Sequence, residues 1–254
     1  MIARILLVVS VAAFLMNCAG NKPKPDWTAS QYYHYAKAKY DDGDYFEASN
    51  ELTVVVLRYA GSPVADSAQY YLGMCHFSMD EYLIAASEFE KLINNMSRSP
   101  MVPNAQFKLA ESYFKLSPRP SLDQKYTSKA IREYQIFIED YPTNELKSEA
   151  EKRISQLREK MATKQYQNAE GYRKMREYRA AIIYFDIVLN EYYDSSKADD
   201  ALIGKIRTYI EMEDYTSAEQ SYIKFKEQFP QSELLPEAED LYDSLPEKFT
   251  STEQ

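Results

Sequence analysis

Apolar and aromatic residues recur along the chain at a helical spacing, and the same arrangement returns five times. Each copy starts at an alanine, with apolar or aromatic residues four, seven and eleven positions later. The five alanines are Ala48, Ala85, Ala130, Ala181 and Ala218. Offsets of 0, 4, 7 and 11 place these side chains on one face of an α-helix. Pro142 and Pro230 stand twelve residues after two of the alanines, where a proline ends a helix.

A second predicted helix precedes each of these, and a small residue marks it. Twelve positions before the alanine stand Ala36, Gly73 and Ala169, where small side chains let two helices approach closely. The third copy has Ala110 twenty positions upstream, and the fifth copy departs from the pattern with Ile206. The sequence therefore predicts helical hairpins. One hairpin cannot cover its own apolar face, so neighbouring hairpins are expected to stack.

This arrangement of small residue, tyrosine, alanine and aromatic residue resembles the tetratricopeptide repeat, a helix–turn–helix unit of about 34 residues. The predicted fold class is all-α, a superhelical solenoid of about five tetratricopeptide-like helical hairpins. Repeats 1–3 are expected in residues 28–142, repeats 4–5 in residues 143–246, and a polar tail in residues 247–254. Only 6 glycines occur in 254 residues, which disfavours β-sandwiches and barrels with their many tight turns.

The N-terminus combines Arg4 with an apolar run over residues 5–16. Twelve helical residues span about 18 Å, which is too short to cross a membrane and is typical of an export signal. The run ends in Leu-Met-Asn-Cys, which resembles the lipobox of bacterial lipoproteins, with Asn17 in place of the usual small residue. The resemblance implies that residues 1–17 are a signal peptide, that Cys18 is lipidated, and that residues 18–27 form a flexible tether. Ala19 then implies the outer membrane as destination, whereas a secretory signal with a chance cysteine stays the alternative.

Charge and motifs narrow the possible functions. The chain carries 30 Lys+Arg against 39 Asp+Glu, a net charge of −9, which disfavours nucleic acid or anionic lipid headgroups as bulk electrostatic partners. It contains no glycine-rich nucleotide motif, no HExxH and no GxSxG. His34 and His76 lie in predicted first helices beside aromatic residues, where a packing role is expected. We therefore expect no enzyme, no catalytic residue, no cofactor and no metal site.

Tetratricopeptide domains bind ligands through defined positions of the first helix in each unit. In the first two units, these positions hold Tyr33, Lys37, Tyr40, Tyr70, Met74 and Phe77. An aromatic groove with one cation suits an extended peptide that ends in an aromatic residue. The alternative, that these tyrosines only pack against the neighbouring hairpin, stays open. The fourth and fifth units present Tyr166, Glu170, Arg173 and Arg207, a more charged surface suited to a folded partner.

Residues 147–202 carry a further resemblance, to the BamD-like lipoproteins of outer-membrane protein assembly. In that family a long helix with the pattern Lys-Arg-x3-Leu…Ala continues into Tyr-x2-Ala-Glu-x-Tyr…Ala. The matching residues are Lys152, Arg153, Leu157, Ala162, Tyr166, Ala169, Glu170, Tyr172 and Ala181. The later segment FPQSELLPEAEDL has the Pro-x-Ser that follows the last helix in the family. The resemblance covers nearly the entire mature chain.

What the resemblance implies is a lipid-anchored scaffold without catalysis at the periplasmic face of the outer membrane. BamD-like lipoproteins bind the POTRA domains of the insertase BamA through their C-terminal repeats, alongside other lipoproteins of the assembly complex. The matching candidate docking surface consists of Arg153, Tyr166, Glu170, Arg173 and Arg207. The N-terminal repeats are implied to receive the C-terminal β-signal of unfolded outer-membrane proteins, which matches the tyrosine-rich groove.

Two rival functions remain open at the level of sequence. One is a general tetratricopeptide lipoprotein that serves cell-envelope coordination or nutrient binding. The other is a small envelope enzyme, such as one acting on peptidoglycan. The carboxylates of the chain are dispersed over predicted helix surfaces and turns, so no clustered acid/base pair supports the second rival.

Overall fold

A computed structural model describes residues 24–246 of the chain. The predicted signal peptide, the lipidation site Cys18 and the polar tail at residues 247–254 lie outside the described residues. Within the described range the chain forms eleven α-helices and no strand, which confirms the predicted all-α class. The helices are α1 (Ala29–Asp41), α2 (Tyr45–Arg58), α3 (Ala65–Ser78), α4 (Tyr82–Asn95), α5 (Val102–Leu116), α6 (Lys125–Asp140), α7 (Lys147–Lys174), α8 (Tyr178–Glu191), α9 (Ala198–Glu211), α10 (Tyr215–Gln228) and α11 (Leu235–Asp243).

The second helix of a hairpin begins where the sequence pattern predicts it. Helices α2, α4, α8 and α10 each start at a tyrosine that directly follows an acidic residue. In α10 the side chain of Asp214 accepts a hydrogen bond from the backbone N–H of Ser217 at 3.2 Å and so caps the helix. The residues eleven positions after the repeat alanine stand at the C-terminal caps of α2, α6, α8 and α10.

The repeated apolar positions form the core. All five repeat alanines are completely buried, and so are the residues seven positions later. The residues four positions later are also buried; they are Leu52, Phe89, Tyr134, Phe185 and Tyr222. The sequence pattern is therefore confirmed as the buried face of each second helix. This face accounts for most of the largest fully buried side chains among the described residues.

The described chain divides into two compact units, residues 24–81 with α1–α3 and residues 82–246 with α4–α11. In the first unit α1 packs on α2 and α3, and α2 packs on α3. Tyr32, Leu52, Leu72 and Cys75 belong to its buried cluster. Burial raises the pKa of the Cys75 thiol to about 12, so this cysteine is a protonated core residue.

In the second unit every helix packs on the next one along the chain. The helices α5, α7, α9 and α11 also contact each other in turn. Helix α7 has 28 residues, about 42 Å, and confirms the predicted long helix. It packs against the two preceding helices, α5 and α6, and against the two following helices, α8 and α9. It therefore joins two hairpins. The expected division of the repeats at residues 142/143 stays a prediction.

The turn between the two helices of a hairpin uses one left-handed residue at a fixed place. Gly43, Asp80, Arg176 and Glu213 have φ angles of 87°, 61°, 63° and 59°, and each stands two residues before the tyrosine that starts the next helix. A left-handed conformation costs about 1–2 kcal/mol in a residue with a Cβ, and glycine avoids this cost. Three of these four turns therefore carry backbone strain. Only Gly43 is a glycine, although glycine suits all four positions best.

Gly204 of α9 lets the ring of Phe185 lie directly against the backbone. A Cβ at position 204 would lie 2.5 Å from Cε1 of Phe185, well inside van der Waals contact. Phe185 is fully buried, so its ring is enclosed by other parts of the protein. Gly204 thus provides the close approach that the larger Ile206 does not provide in the fifth unit.

We expect Gly204→Ala to destabilise the protein by about 1–3 kcal/mol, because the methyl group overpacks the contact with Phe185. The matched control is Gly171→Ala in α7, where a Cβ meets no atom within 4 Å. This control should be neutral or stabilising by about 0.5 kcal/mol, since alanine favours helix. Urea denaturation of the full-length chain, followed by circular dichroism, measures both. Equal midpoints for the two variants would contradict the packing described for Phe185.

Candidate functional site

The first unit brings the aromatic residues of α1 and α3 together in what we call the tyrosine groove, formed by Tyr33, Lys37 and Tyr40 of α1 with Tyr70 and Tyr71 of α3. The Tyr71 ring is central: its centroid lies 6.5 Å from that of Tyr33, 5.1 Å from that of Tyr40 and 5.4 Å from that of Tyr70. None of the five side chains is fully exposed. The rings therefore pack on each other, and the partly buried ones among them still offer surface to a ligand.

Lys37 supplies the positive charge of the groove. Its Nζ lies 4.4 Å from the centroid of the Tyr71 ring and 5.3 Å from that of Tyr40, within the range of cation–π attraction. The ammonium also donates a hydrogen bond of 2.5 Å to Asp41. Burial disfavours the charged form, but the bond to Asp41 and the neighbouring tyrosines outweigh this effect and raise the pKa of Lys37. The groove thus holds a permanently charged, oriented ammonium.

Tyr33, Tyr40 and Tyr70 of the groove remain neutral phenols. Burial raises the pKa of Tyr70 to about 12, and burial is also the largest cause of the raised pKa values of Tyr33 and Tyr40. Neutral hydroxyls can donate and accept hydrogen bonds to a peptide backbone, while the rings provide apolar contact. Met74 and Phe77, the other predicted groove residues, lie partly buried on α3, four and seven residues after Tyr70. Their spacing places them on the helix face that carries Tyr70.

Tyr71 is a groove residue that sequence reasoning missed. It follows the predicted ligand-facing Tyr70, and counting repeat positions assigns only one of these two adjacent tyrosines to the groove. The sequence feature that could have identified Tyr71 is the pair of adjacent tyrosines on α3, because α1 also carries two tyrosines, Tyr33 and Tyr40. Because Tyr71 contacts both residues and Lys37, it holds the two helices of the groove together.

In the second unit, Tyr166 of α7 interacts with Glu170 and Arg173 of the same helix and with Arg207 of α9. Burial is the largest cause of the raised pKa of Tyr166, and electrostatic interaction with both arginines opposes it. Arg173 binds Glu170 at 2.9 Å and also contacts Glu211. The hydrogen bond to Glu170 is the largest cause of the raised pKa of Arg173. These side chains form one cluster around Tyr166, in which Arg173 is already paired.

Arg207 and a nearby lysine are paired as well. Arg207 contacts Glu237 of α11. Lys197 binds Asp200 at 2.6 Å, and its Nζ lies 5.4 Å from the centroid of the Tyr166 ring. The surface is therefore a network of compensated charges around a half-buried tyrosine. Such a network suits the rim of a protein interface, where charges orient a partner more than they add affinity.

Arg153 lies apart from this cluster. It stands twenty residues before Arg173 on α7, a separation of about 30 Å. Its Nε donates to Glu111 at 3.0 Å and lies 3.1 Å from an oxygen of Glu149. Glu111 is buried and also accepts a hydrogen bond of 2.5 Å from the hydroxyl of Tyr134. The geometry gives Arg153 a structural role between α5 and α7, and its predicted role in docking stays a prediction.

Residues 24–246 contain neither a cluster of metal ligands nor a membrane-spanning helix. In that range, no group of three or more His, Cys, Asp or Glu side chains is arranged to hold a metal ion. No helix of the same range combines the length and apolar character that a membrane span requires. His76 is hydrogen-bonded to Glu81 at 2.6 Å, and His34 is exposed with its ring 5.6 Å from that of Tyr33.

These features define an all-α protein of repeated helical hairpins with one aromatic and one charged surface. A family model described as YfiO, outer membrane lipoprotein, matches residues 25–223. The chain belongs to this family of outer-membrane lipoproteins. The result agrees, at the level of the family, with the resemblance found in the sequence.

Solved tetratricopeptide-repeat proteins are similar to the chain. One, from Parabacteroides merdae, is 16% identical over 85% of this chain and 72% of its own, with a TM-score of 0.38. Another, a thermophilic protein of Thermus thermophilus, is 15% identical over 85% and 98%, with a TM-score of 0.36. The TPR2AB domain of yeast Sti1, in a complex with pHSP90, is 14% identical over 85% and 97%, with a TM-score of 0.40.

The structural role of Arg153 can be tested by stability. We expect Arg153→Ala to destabilise the protein by about 1–3 kcal/mol, because the buried carboxylate of Glu111 loses a charged donor. The neighbouring Lys152 is exposed, so Lys152→Ala should change stability by less than about 0.5 kcal/mol. Thermal unfolding of the full-length variants measures the difference. If both variants unfold like the parent protein, Arg153 does not support the fold.

Proposed function

We propose that this protein is a lipid-anchored scaffold subunit of the outer-membrane β-barrel assembly complex. It is anchored by lipid at Cys18 on the periplasmic face of the outer membrane. In this role it binds the POTRA domains of a BamA-like insertase and contacts other lipoproteins of the complex. It also helps to recruit and insert unfolded outer-membrane proteins. Membership of a family of outer-membrane lipoproteins supports the location, and the two surfaces support two kinds of protein contact.

The observation that carries the proposal is the position of Lys37 in the tyrosine groove. An extended peptide that ends in an aromatic residue has one large apolar side chain and a terminal carboxylate close to it. The rings of Tyr40 and Tyr71 offer apolar contact beside an ammonium that Asp41 holds in place. An ammonium has three donors, so Lys37 can bind a carboxylate oxygen without leaving Asp41. Peptide recognition of this kind combines apolar pockets with one charge contact.

The cluster around Tyr166 in the second unit suits the folded partner. Its side chains are fixed by ion pairs before any partner binds, so little side-chain entropy is lost on docking. Tyr166 is partly buried and is packed against Phe185 at 6.0 Å between ring centroids. A rigid aromatic residue within a charged rim is a common arrangement at protein interfaces. We assign the insertase contact to this cluster, with Arg153 at a distance on the same helix.

No catalytic step is part of this function. The proposed scaffold needs neither cofactor nor metal, and the net charge of −9 disfavours nucleic acid as a partner. The alternative is a general tetratricopeptide envelope lipoprotein that mediates other protein contacts, in cell-envelope coordination or nutrient binding. The two functions differ in the proteins that are bound, so identifying these proteins distinguishes the functions.

Site-specific crosslinking in the native envelope separates these functions. A photoreactive residue at position 70 should crosslink to unfolded outer-membrane proteins, and one at position 173 should crosslink to the POTRA domains of the insertase. Tyr193, which is 70% exposed on the second unit, is the control position and should give neither product. Mass spectrometry identifies the linked peptides. Crosslinks from positions 70 and 173 to soluble periplasmic proteins alone would contradict the assembly function and favour the alternative.

A further inference from the structure

The first helix has an aromatic edge that the proposed function does not use. Trp27, Gln31, His34 and Tyr35 line an open cavity of about 410 Å³. The Trp27 ring meets that of Tyr35 edge-on at 5.6 Å between centroids. Trp27 and Tyr35 are partly buried, whereas Gln31 and His34 are exposed. We call these four residues the aromatic edge.

The aromatic edge is held firmly at the start of α1. Thr28 and Gln31 form a capping box, in which each side chain accepts a hydrogen bond from the backbone N–H of the other residue. The backbone N–H of Trp27 donates to the carbonyl of Lys24 at 3.1 Å, and its carbonyl accepts from the hydroxyl of Tyr59 at 3.0 Å. These bonds fix the backbone of Trp27, and its indole packs edge-on against the rings of Tyr32 and Tyr35 at 6.1 Å and 5.6 Å between centroids.

Chain length limits how far this edge can lie from a lipid attached to Cys18. Five residues lie between Cys18 and Lys24, so the fully extended chain that joins them reaches at most about 20 Å. The edge is thus within reach of the headgroup region of the membrane that holds the lipid. The tether limits the distance between the aromatic edge and the membrane surface. The orientation of the edge depends on the polarity and charge of the side chains around it.

The charges along α1 favour one orientation. The exposed face that carries Gln31 and His34 has no carboxylate, and Lys24 and Asp26 nearby compensate each other. Within α1 the carboxylate is that of Asp41 at the far end, about ten residues or 15 Å from Gln31. On the neighbouring helix α2, the carboxylate of Glu51 accepts a hydrogen bond of 2.6 Å from the hydroxyl of Tyr32 and is partly buried. Tryptophan and tyrosine prefer the level of the headgroups, because their rings are apolar and their N–H and O–H groups are polar. An acidic helix end is better placed in water.

We propose that the aromatic edge lies in the headgroup region of the membrane and makes a direct contact between the folded protein and phospholipid. This contact rests on the proposed lipidation of Cys18. It adds a second point of attachment, so the first unit is oriented on the membrane as well as tethered to it. The ligand is a phospholipid interface with apolar acyl chains below polar headgroups.

The chain offers a direct probe, because Trp27 is its only tryptophan. The mature protein, acylated at Cys18, is bound to vesicles of phosphatidylethanolamine and phosphatidylglycerol, and the emission of Trp27 is recorded. We expect a blue shift, quenching by lipids brominated near the headgroup, and quenching by aqueous acrylamide that is roughly halved, since an indole at headgroup level loses part of its contact with water. An emission spectrum unchanged by vesicles would overturn the contact.

Two variants test the contact against its alternatives. Gln31→Glu with His34→Glu adds charge to the edge but keeps a residue suited to the capping box, so the fold should persist while quenching by brominated lipid is lost. Tyr193→Glu, at an exposed position of the second unit, should leave the quenching unchanged. Flotation of the vesicles reports the lipid anchor separately. Protein that does not float refutes the anchor, whereas protein that floats without a change at Trp27 refutes only the contact proposed here.

Discussion

Close approach of neighbouring helices through small side chains is the constraint on which the rest of the structure depends. In the fourth hairpin, Ala169 of α7, Ala181 of α8 and Ala201 of α9 meet in one buried cluster. Phe185 and Val188 of α8 fill the space that these alanines leave. Burial of each large side chain contributes about 1.5–3 kcal/mol. The helices are thus held at a fixed distance, and the side chains on their other faces are positioned by the same contacts.

Each of the two units presents a different kind of surface. In the first unit, Lys37 and Tyr71 join α1 to α3 through a cation–π contact, which leaves a groove of aromatic rings around the ammonium of Lys37. In the second unit, Arg173 and Glu170 lie in a network of ion pairs around Tyr166. An extended peptide suits the first arrangement and a folded protein suits the second, because apolar pockets admit single side chains whereas fixed charges match a preformed surface.

Much of the fold could be predicted from the sequence, because the repeat places the same residue types at the same points of each hairpin. The start of α8 at Tyr178 follows from the acidic residue and tyrosine that precede the repeat alanine. Contacts between distant parts of the chain could not be predicted in the same way. The partner of Arg173 on α9, Glu211, lies 38 residues away, and the left-handed Arg176 occupies a place where glycine is expected. For the groove, repeat counting found Tyr70 and missed its neighbour, whose role depends on the packing of two helices.

The central claim is that the tyrosine groove binds the C-terminal end of an extended polypeptide. The most direct test measures binding of a labelled peptide of about twelve residues to the full-length chain by fluorescence anisotropy. A peptide that ends in Phe should bind at least about tenfold more tightly than one that ends in Ser, since burial of one aromatic ring contributes roughly 1.5–3 kcal/mol. Tyr71→Ala should remove this preference. Equal affinity for both peptides, with no effect of the substitution, would contradict the account.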